Sequence, residues 1–495
     1  MRPEYYRQQW KGLQIREAPG TAELTSLAER VAFTFIDRYL YSDEYNANYI
    51  ELLCEMATFS ADPRLNQPAT GALFGIVVER LCDDFEELQT ETYNRLMCQV
   101  VTWIRGLPEG AELNRKLGDF SLNSRQQLID RIESIRLGPD EPLPEGFFPQ
   151  KMLVLSRVTV GADVAITTVI YQRLRSLFPA CEIVIIGNAK LRQVFAESPG
   201  ARIRELHYAR RGGLLERFNV WLQLLAAVNE EIAGLAENEY LLFDPDSRLT
   251  QLGVLPLVPA SAYRFFNSRG KEGYPAKASI SELTNLWLTK VLGNQEFCYP
   301  KLWPAQSSLE AAKSLIGGMD SSNVITINLG VGGNRRKRIA GSFEIDLVLS
   351  LLLDPATRII LDMGYGDEER QRCRRIIAAT ADAGYAVGFY TFGNGKRLDS
   401  NCRLLGVECD VGEIAALITS SQEFIGYDSA CQHIAAAQGV RTYTLFAGSN
   451  NVKFIRRWHA CGTNTSEIVF VDTLSQDREV NSTEIIARLL DLRRP

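Results

Sequence analysis

The sequence predicts an α/β protein of two Rossmann-like lobes, each a parallel sheet covered by helices, preceded by an all-helical domain. Three observations carry that expectation. Helical periodicity dominates residues 1–145. From Lys151 onward short β-branched runs alternate with amphipathic segments, the pattern of βαβ units and parallel sheets. That alternation occurs twice, in two sets of domain size.

The helical domain comes first. Leu24, Leu27, Val31 and Phe35 recur at helical spacing after Thr21, which is suited to cap a helix. Ser124 and Gln127 make a capping-box pattern just before Leu128, Ile129 and Ile132. Glycine and proline then crowd LGPDEPLPEGFFP (137–149), which reads as a linker. The first α/β set contains MLVLS after Lys151, a helix-like segment through Leu177, CEIVIIG (181–187) and EYLLFD (239–244). The second contains NVITINLG (323–330), TRIILDMG (357–364), YAVGFYTFG (385–393), EFIGYD (423–428) and TYTLFAG (442–448). The expected units are therefore a helical domain over 1–145, a first lobe over 151–315, a second over 320–480 and a terminal helix over 481–495.

Composition narrows the function. With 495 residues, 46% hydrophobic and 23% charged, the chain is long enough for several ordinary cores. A net charge of -6 supplies no bulk basic field for nucleic acid or anionic lipid. The N-terminus MRPEYYRQQW has no apolar signal region, and no apolar run is long enough to span a bilayer. The expectation is a cytoplasmic protein whose only membrane contact would be peripheral. Ten cysteines show no C-x-x-C pair or metal-ligand spacing, and three histidines argue against zinc. They read as free thiols in a reducing compartment, with no metal and no resident cofactor expected.

In open α/β sheets ligands bind beyond the carboxyl ends of strands, so the chemistry is sought there. After MLVLS comes SRVTVGADVAITT (156–168), where a Gly161–Ala162 turn puts Asp163 near a helix start and Thr167 and Thr168 on its first turns. A carboxylate there could take a proton from a hydroxyl or simply cap the helix. After VITINL comes LGVGGNRRKR (329–338). Gly332, Gly333 and Asn334 would let backbone N–H groups approach phosphate, and Arg335 to Arg338 add charge. The dinucleotide fingerprint is incomplete, since Arg335 stands at its third glycine position. In EFIGYDSACQHIAAAQGV (423–440) a strand ends at Asp428, and Ser429 opens an alanine-rich helix carrying His433. The N-terminus of that helix offers free N–H groups to a diphosphate, with Asp428 better placed for hydroxyl groups. Finally, Asp244 and Asp246 in FDPDS form a D-x-D pair, a short pattern that serves either a metal site or a polar turn; the turn is preferred.

Together these segments resemble the heptosyltransferases, glycosyltransferase family nine, over roughly residues 151–480. The most specific stretch is VGEIAALITSSQEFIGYDSACQHIAAAQGVRTYTLFAG (411–448), with Asp428, Ser429, His433 and Leu445–Phe446 in the family's order. Arg157 and Asp163 have the spacing of the family's first-strand motif, followed by Thr167–Thr168, and Lys337 falls where the family has a phosphate-contacting lysine. Ala162 stands where the family usually has glycine, Ala430–Cys431–Gln432 replaces a glycine-containing spacer, and Ala447–Gly448 replaces a glycine–proline step. The helical domain is outside the family pattern.

The resemblance implies the GT-B fold and an inverting, metal-independent transfer of a heptose-like or other sugar from a nucleoside diphosphate. ADP-heptose is the family's donor. Asp163 would be the general base. Lys337, Gly332, Gly333, Asn334, Asp428, Ser429 and His433 would hold the donor. Arg157, Thr167 and Asp244 would lie on the acceptor side. A lipopolysaccharide core or other saccharide, a lipid-linked sugar and a protein side chain all remain open as acceptors. Two alternatives share the fold: a catalytically silent nucleotide-sugar-binding scaffold and a nucleotide-sugar epimerase.

Overall fold

A computed structural model describes residues 2–15, 20–138, 142–144, 146–208, 212–269, 273–319, 323–332, 334–392, 401–475 and 480–494. The helical domain contains long helices at Pro3–Gln14, Thr21–Ser42, Ala47–Met56, Glu87–Arg105 and Arg125–Leu137. In Thr21–Ser42 the buried stripe includes Leu24, Leu27, Ala28, Val31 and Phe35, the spacing of one helix face. Extended Gly20, not Thr21, is its cap residue, and Thr21 is already helical. The Ser124–Gln127 capping box forms in both directions.

This domain is not a separate bead. Its Leu128 and Ile132 share one apolar cluster with Leu153, Leu155, Leu249, Leu252 and Phe265 of the first lobe. Gly253, at φ 87, permits the closest approach: a Cβ there would lie 2.6 Å from Phe265 Cε2 and 3.0 Å from Ile132 Cδ1. Arg131 Nη1 donates to the Gly253 carbonyl at 2.6 Å.

The first lobe is a parallel sheet of β1 (Lys151–Leu155), β2 (Glu182–Gly187), β3 (Ala201–Glu205), β4 (Tyr240–Asp244) and β5 (Tyr263–Phe265), ordered β3-β2-β1-β4-β5. Its central strands are buried along nearly their whole length, because both faces are covered. The second lobe holds β6 (Asn323–Asn328), β7 (Thr357–Asp362), β8 (Val387–Thr391), β9 (Leu404–Glu408), β10 (Glu423–Tyr427), β11 (Arg441–Phe446) and β12 (Ser466–Phe470). Their order is β12-β11-β10-β6-β7-β9-β8, again parallel throughout. The chain thus comprises an N-terminal helical unit followed by two lobes, each built on a parallel sheet.

Strand order reverses between β1 and β4 in the first sheet and between β6 and β10 in the second. Such switch points open crevices at the carboxyl ends of the strands. Asp163 follows β1 at the first switch point, and Lys337 and Asp428 follow β6 and β10 at the second. The Gln306–Gly317 helix, included in the first lobe by sequence, packs on the Val411–Thr419 helix of the second. The terminal Ser482–Arg493 helix packs on the Phe343–Leu352 helix and β12, and Arg493 Nε donates to Glu423 Oε2 at 2.6 Å. Among the described residues, no helix is long and apolar enough to cross a membrane.

Candidate active site

Beyond β1 the chain turns through Ser156–Thr159 and enters a helix whose Asp163–Thr167 segment is a wide π-type turn. Such turns are uncommon and gather at functional sites. Asp163 is 1% exposed. Its Oδ2 accepts from Ser156 Oγ at 2.7 Å, and its Oδ1 accepts from the Arg157 amide at 2.7 Å and Thr167 Oγ1 at 2.8 Å. Burial pushes its pKa up to about 6, against the lowering pull of those hydrogen bonds. Val158 is held at φ 77, with its amide donating to Ser156 Oγ at 2.8 Å. A β-branched residue in that region stores strain of about 1–3 kcal/mol, and strain of this kind concentrates at functional sites.

In the second lobe Asp428 follows β10 directly. Lys337 Nζ meets its Oδ2 at 2.5 Å, and Gln432 Nε2 donates to its Oδ1 at 2.6 Å. Thr444 Oγ1 in turn fixes Gln432 at 3.1 Å. Ser429 is extended at the start of the Ala430–Ala437 helix, and its Oγ donates to Asn328 Oδ1 at 3.3 Å. Asn328 Nδ2 donates to Asp362 Oδ2 at 2.6 Å, which joins the ends of β6, β7 and β10.

The loop cations divide. Arg335 and Arg338 pair with Glu368, whereas Lys337 turns to Asp428. Gly332 takes φ 60, and Asn334 Oδ1 accepts from the Arg336 amide at 3.2 Å. Gly333 lies outside the described residues. Gly448, at φ 78, is required because a Cβ there would sit 2.8 Å from the Arg336 carbonyl carbon and 2.9 Å from the Lys337 nitrogen.

His433 is 5% exposed, and burial lowers its pKa to about 4, so it is neutral near pH 7. Its ring stands edge-on to Trp458 with centroids 5.9 Å apart. The lobes touch here. A Cβ on Gly161 would lie 3.0 Å from Ala430 Cα and 3.2 Å from His433 Cδ2. Gln193 Nε2 to Asp410 Oδ2 at 2.9 Å and Arg457 Nη1 to the Pro275 carbonyl at 2.9 Å tie the lobes elsewhere.

The residues expected on the acceptor side sit differently. Asp244 is fully buried and does not face the crevice: its Oδ1 accepts from the Ser247 amide at 2.7 Å, and its Oδ2 from Thr250 Oγ1 and Tyr263 Oη, both at 2.5 Å. It holds the turn after β4, and burial raises its pKa to about 6. Thr167 is likewise buried, with its hydroxyl spent on Asp163. Arg157 Nη1 donates to the Pro245 and Asp246 carbonyls at 2.8 and 2.7 Å. Asp246, at φ 65, meets Arg269 Nε at 2.8 Å and Arg157 Nη1 at 3.3 Å. Burial pushes its pKa up, but the two guanidinium groups outweigh that and hold it low. The D-x-D pair therefore spends its carboxylates on internal partners.

Sequence reasoning missed Ser156 and Gln432 as structural parts of the site, and read Gly161 only as a turn residue. Ser156 and Gln432 lay inside quoted segments, but no local pattern marks a hydroxyl or amide that orients a neighbouring acid. Glu369 was also missed; its Oε1 and Oε2 accept from the Val331 and Tyr365 amides at 3.3 and 2.8 Å, tying two strand-end loops together.

Residues 394–484 match the family model for glycosyltransferase family 9 (heptosyltransferase). Among solved structures, the glycosyl transferase family 9 protein of Veillonella parvula DSM 2008 is 14% identical, over 66% of this chain and 86% of that one, with a TM-score of 0.46. The E. coli ADP-heptose LPS heptosyltransferase II is 13% identical over 70% of this chain and 100% of that one, with a TM-score of 0.46. The E. coli heptosyltransferase WaaC with ADP is 13% identical over 69% and 99%, with a TM-score of 0.43. Comparison with curated proteins gives no match.

Proposed function

From the match of residues 394–484 to the glycosyltransferase family 9 (heptosyltransferase) model, we propose that the chain transfers a sugar from a nucleoside diphosphate, ADP-heptose first among the candidates, with inversion and without a metal. A saccharide, lipid-linked sugar or protein side chain would be the acceptor, and the cytoplasm the compartment. The ten cysteines form no disulfides, which suits a reducing environment.

One observation carries the reading: Lys337 and Asp428 meet at the start of the Ala430–Ala437 helix, at a switch point, while Asp163 stands on the helix that touches it through Gly161. The donor diphosphate would lie at that helix start, where unsatisfied N–H groups and the dipole favour negative charge. Lys337 would exchange Asp428 for phosphate oxygens, and Asp428 would then be released toward donor hydroxyls. The acceptor oxygen would bond to the anomeric carbon as the bond from that carbon to the diphosphate oxygen breaks. The electron pair would leave with the diphosphate, stabilised by Lys337 and the helix amides. The acceptor proton would pass to Asp163, whose raised proton affinity suits a base working near neutrality.

Since Gly161 and Ala430 close the helix start, the lobes must part to admit the donor and close again to exclude water. The test is calorimetric titration with ADP, UDP, GDP and CDP, with magnesium and with chelator, followed by product analysis with ADP-heptose. Magnesium-independent binding of one nucleotide that is lost in Lys337→Ala supports the donor site. An absolute need for magnesium, or donor isomerisation without acceptor, refutes the metal-free transfer.

A further inference from the structure

We infer that Phe85, supplied by the helical domain, is a positioning residue for the donor site. This rests on the donor reading above. The turn between the Glu79–Asp83 and Glu87–Arg105 helices holds Phe85 at φ 55, a left-handed conformation unfavourable for a bulky side chain. The ring is 5% exposed and is not part of the apolar cluster that forms the domain's own core. It joins instead the apolar cluster that runs between the two lobes.

There it packs on the short Val452–Arg457 helix and the residue after it, with its centroid 6.3 Å from Phe454 and 6.2 Å from Trp458. Polar contacts flank the ring on both sides. Asn451 Nδ2 donates to Asp84 Oδ1 at 2.8 Å, and Lys453 Nζ donates to Glu86 Oε1 at 3.1 Å. The same two aromatic residues touch the donor residues. Lys337 Nζ lies 6.0 Å from the Phe454 centroid, and His433 lies 5.9 Å from Trp458. Phe85 thus stands one side chain behind both Lys337 and His433.

The remainder of the helical domain is fused to the first lobe through a shared core. The 84–86 turn is therefore a grip that a first-lobe unit keeps on the second lobe, at the point that backs the donor residues. Removing the ring leaves Phe454 and Trp458 free to repack, and Lys337 and His433 lose their backing. The helical domain, which the family pattern leaves unexplained, gains a role in assembling the donor site.

The experiment uses the full chain, with ADP, UDP, GDP and CDP as probes, and compares wild type, Phe85→Ala and Phe85→Leu. Dissociation constants come from calorimetry and local opening from hydrogen exchange. The expected result is nucleotide affinity weaker by about tenfold in Phe85→Ala, with faster exchange confined to 428–437 and 451–458, and recovery of both in Phe85→Leu. Wild-type affinity together with wild-type exchange in Phe85→Ala overturns the inference and leaves the donor reading standing. Failure of the wild type to bind any of the four nucleotides overturns both. Should Phe85→Ala not fold, the surface pair decides: Lys453→Glu should weaken binding and adding Glu86→Lys should restore it, while no change in the single variant refutes the grip.

Discussion

Replacing Gly161 by alanine adds one carbon to a tight backbone contact between the lobes. Built on the present backbone, that carbon would lie 3.0 Å from Ala430 Cα, 3.2 Å from His433 Cδ2 and 3.5 Å from Ala430 Cβ. Carbon atoms rest at about 3.5–4.0 Å, so the lobes must separate locally by roughly 0.5–1 Å. Holding them together would cost about 1–3 kcal/mol of overpacking. Alanine also improves helix propensity by about 1 kcal/mol over glycine, which offsets part of that cost. The net effect on stability should be within about 2 kcal/mol, because the strain can be relieved by rotation of one lobe on the other. Activity has no such escape. A displacement near 1 Å between base and donor costs about a hundredfold in rate. Steady-state assay with ADP-heptose and the identified acceptor should show kcat reduced by about 10–100-fold, with a melting temperature shifted by only a few degrees. A Gly161→Ala enzyme with wild-type kcat and KM would refute the claim that this contact sets the reacting geometry.

Other perturbations test single side chains. If Asp163 is the base, it works deprotonated, so kcat/KM should rise with pH through about 6; an acid limb near pH 4 would reject the assignment. The same shift has a stability sign. A raised folded pKa stabilises the protein at low pH, and that contribution is lost as pH rises through about 6, so the urea midpoints of wild type and Asp163→Ala should differ between pH 4 and pH 8. Lys337→Ala removes a charge-assisted contact of about 1.5–3 kcal/mol, and nucleoside diphosphate affinity should fall about 10–100-fold by calorimetry. Asp246→Ala leaves Arg269 and Arg157 without their buried counter-charge, and urea unfolding should show a loss of about 3–5 kcal/mol.

The central strands were legible because parallel strands covered on both faces are rich in β-branched and apolar residues, as β1, β2, β4, β6, β7, β10 and β11 are. The strands that escaped are edge or near-edge elements. β3 (ARIRE) and β12 (SEIVF) carry charge on an exposed side, β5 has only three residues, and β9 follows a stretch with no clear period. The Gln306–Gly317 helix falls within the first-lobe bounds read from the sequence yet packs on the Val411–Thr419 helix, because chain order cannot say which neighbour an amphipathic face will find. Within the site, residue types and their positions beyond the strands were readable. Partners were not. Lys337 could be picked out by resemblance, but its contact with Asp428 spans 91 positions. Gly161 read only as part of a turn, and only the other lobe shows why a side chain is excluded there.

Asp163 and Asp244 show why proton affinity by itself does not select a base. Both are buried acids at the end of first-lobe strands, and burial lifts both to about pKa 6. Their partners differ in origin. Asp244 is enclosed by Ser247, Thr250 and Tyr263, all from its own strand end and the neighbouring β5, so its hydrogen bonds close a turn. Asp163 is held from behind by Ser156, Arg157 and Thr167, on the helix whose Gly161 meets the second lobe. When the lobes part, Asp163 lies beside the surface that opens, whereas Asp244 stays within the first lobe. The same substitution at the two positions should therefore have opposite signatures. Asp244→Asn should lower the unfolding free energy measured in urea by about 1–3 kcal/mol, since an amide nitrogen at one oxygen position confronts donors, with kcat per folded molecule little changed. Asp163→Asn should reduce kcat by about 100-fold or more while nucleoside diphosphate binding survives. Equal loss of turnover at both positions, in folded protein, would mean that burial and not position governs the chemistry, and the assignment of Asp163 would fall.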